Sequence, residues 1–138
     1  MLNKVINRAD EVFAHLFAEE DGLILIHGDL HFWNVNYHRG DLYLMDFGDI
    51  SLGYPVQDIA ITLYYGRERD GYLEWRKAFQ DGYSSVLSWP TEDERTIATL
   101  MAARSVNFIN YVARIDSSPE EFISRLSKNL EQYVVEFC

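Results

Sequence analysis

The chain has 138 residues, 48% of them hydrophobic, which suits a single domain with a real core and argues against a disordered segment. Its 12 basic and 22 acidic side chains leave a formal charge of -10, which opposes nucleic acid and anionic membrane surfaces and is compatible with a cationic small molecule. No apolar run is long enough to span a bilayer, no basic-then-apolar leader opens the chain, and the one cysteine, Cys138, has no internal partner, so a cytoplasmic setting is expected.

Leu2, Val5, Ile6, Ala9, Val12, Phe13, Leu16 and Phe17 recur at helical spacing, predicting an amphipathic helix from residue 2 to about 19 that Asp21-Gly22 ends. Leu23 to Ile26 reads as a short strand. Val35 to His38 and Leu42 to Met45 flank Arg39-Gly40-Asp41, the pattern of a small hairpin. Pro55 suits the first turn of a helix over Val56 to Tyr65, and Gly71 and Asp81-Gly82 bracket another over Tyr72 to Tyr83. Two capping boxes follow. Thr91-Glu92-Asp93-Glu94 opens a helix carrying Ile97, Leu100, Met101, Phe108 and Ile109; Ser118-Pro119-Glu120-Glu121 opens one carrying Phe122, Leu126, Leu130, Tyr133 and Phe137. The predicted class is mainly α with a small β-hairpin (α+β), one domain over residues 1–138, without repeats or long linkers.

Between the first strand and the helix after Pro55 lies a dense polar cluster. His27-x-Asp29-Leu30-x-x-x-Asn34 precedes the hairpin and Asp46-Phe47-Gly48 follows it. These are the catalytic-loop and metal-loop signatures of the protein-kinase fold, in the correct order and each after an apolar run. Phosphoryl transfer needs an acceptor hydroxyl held in line and a cation on the phosphates. Asp29 is the candidate to orient the hydroxyl and accept its proton. Asn34 and Asp46 offer the oxygen ligands that a hard cation such as Mg2+ takes, and Gly48 is expected to let the backbone bend after the second.

His27-Gly28-Asp29-Leu30-His31, Asn34, Asp46-Phe47-Gly48-Asp49 and Gly53-x-Pro55-x-x-Asp58-Ile59-Ala60 together resemble the aminoglycoside phosphotransferase and choline kinase family of small-molecule kinases. Gly28, where protein kinases usually carry Arg, points to that branch. The resemblance is close over residues 25–60, the catalytic and metal-loop region, with residues 61–138 as a helical substrate-side region. It implies the C-terminal lobe of a kinase fold that moves the γ-phosphoryl group of ATP or GTP to a small-molecule hydroxyl. It also implies that Asp58 braces the catalytic loop from behind, a position where a helix-start carboxylate favoured by the dipole is the plainer alternative. His27 is expected to hold the loop by bonding nearby backbone. His31 either approaches the phosphates or is simply packed, and Asp49 either assists at the metal or accepts loop N–H groups, the second being preferred.

A rival reading takes His27-x-Asp29-x-His31 as the ligand strand of a metal-dependent hydrolase, for which only His15 and His38 remain as further imidazoles. Against the family pattern, Phe32-Trp33 replaces the usual Pro-Gly; the two rings either cover the substrate entrance or pack beneath the loop, the second being preferred. No segment supplies the Gly-rich phosphate loop or the strand lysine of a kinase; Lys4, on the first helix, is the only lysine before the cluster. The N-terminal ATP lobe is therefore expected to be absent from these residues, leaving an apolar face that a missing lobe or a second copy of the chain would cover, and little turnover by the chain alone. Glu74, Trp75, Tyr83, Asp93 and Tyr111 either line an acceptor pocket or belong to surface and core.

Overall fold

A computed structural model describes residues 1–18, 22–91, 93–116 and 118–138. The chain divides into two compact units, Met1–Glu19 with Arg95–Cys138, and Glu20–Glu94. Secondary structure is mostly helical, with two small antiparallel strand pairs. No helix among the described residues is long and apolar enough to cross a membrane.

The first unit is built from α1 (Leu2–Ala18), α4 (Glu94–Ile115, from its second residue on) and α5 (Glu120–Phe137). Its core gathers Val5 of α1, Ala102, Val106 and Ile109 of α4, and Leu126, Leu130 and Tyr133 of α5. The spacing of these side chains by three, four or seven residues makes each helix present one stripe. Tyr133 shares a 2.7 Å hydrogen bond with Thr99 inside this core. Burial pushes the phenol above the usual tyrosine range, and the Thr99 bond offsets part of that rise.

The second unit holds strands β1 (Ile24–Ile26), β2 (Val35–His38), β3 (Asp41–Leu44) and β4 (Ser51–Gly53), then α2 (Pro55–Gly66) and α3 (Tyr72–Ser84). The β2–β3 hairpin runs in register from Val35 opposite Leu44 to His38 opposite Asp41. Its connection is shorter than expected, because Asp41 joins the ladder and only Arg39 (φ 54°) and Gly40 (φ 96°) turn. Two successive positive φ values are what a tight hairpin requires. Strand β4 had no counterpart in the sequence reading. Three residues carry no periodicity, and Ser51-Leu52-Gly53 is a strand because β1 offers it a partner, Leu25 opposite Leu52.

Helix α2 packs against β1, with Val56, Ile59, Ala60, Leu63 and Tyr64 buried. Pro55 occupies its first turn, and the Gln57 side-chain oxygen accepts the Tyr54 backbone N–H at 2.7 Å. At its far end the Trp75 ring of α3 lies against Gly66, where any Cβ would collide with it. Trp75 stacks on Phe79, and Phe79 and Tyr83 both meet Trp89, so Trp75 and Tyr83 serve packing within this unit.

Helix starts and stops differ from expectation in local ways. Helix α1 is described as far as Ala18, and its proposed stop at Asp21 lies outside the described residues, as does Glu92 of the first capping box. Helix α4 begins at Glu94, and the Thr91 hydroxyl accepts the Asp93 N–H at 3.0 Å just before it. At α5 the Ser118 N–H, which a capping box would give to Glu121, goes to Asp116 Oδ1 at 2.9 Å instead. Pro119 is already helical (φ -80°, ψ -3°), and its carbonyl accepts the Ile123 N–H as the first helical bond.

Candidate active site

Strand β1 delivers the chain into a loop that α2 holds from behind. The Asp58 carboxylate accepts the backbone N–H of His27 at 2.7 Å with one oxygen and that of Gly28 at 2.9 Å with the other. Such charge-assisted bonds are among the stronger ones a side chain makes to backbone. One helical turn later, the Thr62 hydroxyl lies 2.8 Å from the Leu30 carbonyl and 2.9 Å from that of Asp58. His27 is buried, and both its ring nitrogens are engaged: Nε2 donates to the Met45 carbonyl at 2.9 Å while Nδ1 accepts the Asp29 N–H at 3.3 Å. The ring thereby ties the loop to the end of β3, as a structural histidine would.

Asp29, His31 and Asn34 come together on this loop. Asn34 is buried, its Nδ2 donating to the Asp29 carbonyl at 3.0 Å and lying 3.5 Å from Asp29 Oδ2 and 3.4 Å from His31 Nε2. His31 Nε2 stands 3.3 Å from the same carboxylate oxygen. Because the amide nitrogen of Asn34 is turned into the loop, its Oδ1 is the atom left to face a ligand. The Asn34 carbonyl accepts the Met45 N–H at 2.9 Å, so the entry to the hairpin is bonded to its exit.

That exit carries Asp46-Phe47-Gly48-Asp49. The left-handed residue here is Asp46 (φ 60°, ψ 67°), not Gly48, which corrects the expectation that the glycine supplies the bend. Aspartate is one of the few side chains that tolerate this region, at some cost. The Asp46 carboxylate leans toward Gly48, with Oδ1 3.5 Å from where a Cβ would stand. Glycine is required at Gly28 instead. There φ is +79° and the Asp49 carbonyl sits so close that a Cβ would overlap it. This close approach, with the His27 ring 5.0 Å from that of Phe47, presses the two loops together. Asp29 and Asn34 thus share direct contacts, whereas Asp46 and Asp49 are brought alongside by the backbone between them.

Around His31 gathers an aromatic shell of Phe32, Trp33 and Tyr65. Arg69 caps Phe32 and Arg67 caps Tyr64, each guanidinium within 4 Å of a ring centroid. Packing beneath the loop does not describe Trp33, which is 68% exposed. Of the other acceptor-side candidates, Glu74 and Tyr111 are exposed, and Asp93 donates its backbone N–H to Thr91.

The hydrolase alternative finds no support. With both ring nitrogens of His27 committed to backbone, the ring has none to give a metal, and among the described residues no three His, Cys, Asp or Glu side chains are grouped to hold one. Thr62 escaped the sequence reading altogether. Its available signal was its place four residues after Asp58, as the one hydroxyl among Ile59, Ala60, Ile61 and Leu63.

Residues 2–98 match the phosphotransferase enzyme family. Over 64 residues the chain is 38% identical to amicoumacin kinase of Bacillus subtilis (strain 168), a match covering 44% of this chain and 19% of that protein. Its fold is similar to that of amicoumacin kinase hAmiN, solved in complex with AMP-PNP, Ca2+ and Ami, with a TM-score of 0.66 at 23% identity, covering 93% of this chain and 44% of the other. The chain spans less than half the length of either relative.

Proposed function

The chain belongs to the phosphotransferase enzyme family, and on that premise we propose that it is the C-terminal, catalytic-loop lobe of a small-molecule kinase. The reaction is transfer of the γ-phosphoryl group of ATP or GTP to a hydroxyl, in the cytoplasm. The observation that carries this reading is the Asp29 loop, clamped by α2 with the Asn34 amide folded against it. Asp29 positions the acceptor hydroxyl and takes its proton as the oxygen–phosphorus bond forms, while the bond from the γ-phosphorus to the bridging oxygen breaks and the nucleoside diphosphate leaves. His31 steadies the carboxylate from the side. Asn34 Oδ1 and the Asp46 carboxylate are the hard oxygen donors that suit Mg2+, which when bound neutralises charge on the phosphates. Nucleotide and a divalent cation in the hAmiN complex support the same cofactor class here.

The phosphate-covering loop and the lysine that this chemistry also uses come from outside these residues, so binding of nucleotide by the chain alone is weak. Calorimetric titration with Mg2+ and ATP tests the assignment. The expected result is weak, metal-dependent binding that Asn34→Ala and Asp46→Ala each remove, with no turnover of amino sugars, amino alcohols or nucleosides. Binding that ignores the metal and both substitutions overturns it.

A second reading is favoured by the exposed apolar ribbon. Leu25 and Leu52, partners across β1–β4, are 64% and 73% exposed, and Tyr37 and Leu42 stand similarly open on the hairpin. Such a surface suits association with a missing lobe or a second copy. Light scattering over a concentration series should give a dimer that Leu25→Lys disperses; a monomer throughout excludes self-pairing.

A further inference from the structure

We infer that Thr62 is a positioning residue for the catalytic loop, the second half of a clamp whose first half is Asp58. The two residues lie four apart on α2, so their side chains leave the same face of the helix. Asp58 takes the N–H groups of His27 and Gly28, just before Asp29, and Thr62 gives its proton to the carbonyl of Leu30, just after it. Asp29 is thus bracketed on both flanks by one rigid element. Its backbone can neither slide nor turn without breaking a partly buried bond, and Asn34 follows because its Nδ2 holds the Asp29 carbonyl.

The hydroxyl has one proton and two acceptors in reach, Leu30 O at 2.8 Å and Asp58 O at 2.9 Å. A buried helical threonine needs only the second, its own carbonyl four residues back. The first reaches across 32 positions of sequence and is the contact with a role in the site. Thr62 is buried and touches no reacting atom, so it acts through the loop.

The inference rests on the kinase reading, and its test separates the two. Thr62→Val keeps the side-chain shape without the donor; Thr62→Ser keeps the donor. In the 138-residue chain, backbone hydrogen exchange in segment 27–34 should accelerate about three- to tenfold in the valine variant, the size of one net hydrogen bond. Exchange in the hairpin 35–44 should stay unchanged, and serine should restore the slow rate. Affinity for ATP with Mn2+ as probe should fall by a similar factor in the valine variant alone. Acceleration spread through the hairpin and α2, or none anywhere, overturns the clamp. Absence of Mn2+-dependent ATP binding in the wild-type chain overturns the kinase reading instead, and exchange then judges Thr62 by itself.

Discussion

The loop of Asp29 and the loop of Asp46 are proposed to serve one reaction, yet they are held in opposite ways. Backbone groups of His27, Gly28, Leu30 and Asn34 are bonded to side chains or backbone from elsewhere in the chain, and Asn34 is buried. Residues Phe47 to Ile50, by contrast, are exposed and turn on a left-handed aspartate. The difference matches what each side must do. A proton acceptor has to be aimed before substrate arrives, because nothing in the reaction will aim it. Asn34, the proposed metal donor on the Asp29 loop, shares that support through its bond to the Asp29 carbonyl, whereas Asp46 stands on the open loop, where a cation can itself draw the carboxylate into place.

The contrast is easiest to break at Asp58. Asp58→Ala removes two charge-assisted bonds and should cost about 3 kcal/mol of stability. Urea unfolding measures the loss, and hydrogen exchange should place it in 27–34 ahead of 46–49. Equal loosening of both loops would erase the distinction.

Next in size is a pair of glycine substitutions. Gly28→Ala should cost about 2 kcal/mol, combining a positive φ with overlap on the Asp49 carbonyl, whereas Gly48→Ala should change stability by less than about 0.5 kcal/mol because a Cβ there meets only ordinary contacts. Thermal melts of the two variants decide it. A costly Gly48→Ala would return the bend to that glycine.

The smallest expected effect has the opposite sign. Asp46→Gly relieves an aspartate held at φ 60° and should stabilise the chain by up to about 1 kcal/mol while weakening Mn2+–ATP binding at least about tenfold. A destabilised variant would mean that the Asp46 carboxylate, not the backbone, holds its loop.

What the sequence conveyed was chemistry in order along the chain; what it withheld was geometry between distant residues. His27, Asp29, Asn34, Asp46 and Asp58 were visible as a pattern because their types and spacings are unusual together. Helix α1 was visible from its apolar spacing, α2 and α3 from Pro55, Gly71 and Asp81-Gly82 at their ends, and α4 and α5 from apolar positions that follow a Thr91 or Ser118 start signal. Strand β4 was hidden, since three residues become a strand only by meeting β1. Thr62 was hidden because a hydroxyl in an apolar helix is satisfied by its own backbone as readily as by Leu30. Trp33 was misjudged because nothing in its neighbours' identities tells a buried ring from an open one. The bend at Asp46 was assigned to Gly48 by residue type, where the deciding quantity is a backbone angle.

The close fit of Gly28 against the Asp49 carbonyl also limits which side chains position 28 can carry. A long cationic side chain at that spot, as protein kinases usually have, cannot enter while residues 46–49 stay where they are. A larger residue at position 28 therefore needs a matching shift in the 46–49 stretch, which couples the two loops sterically.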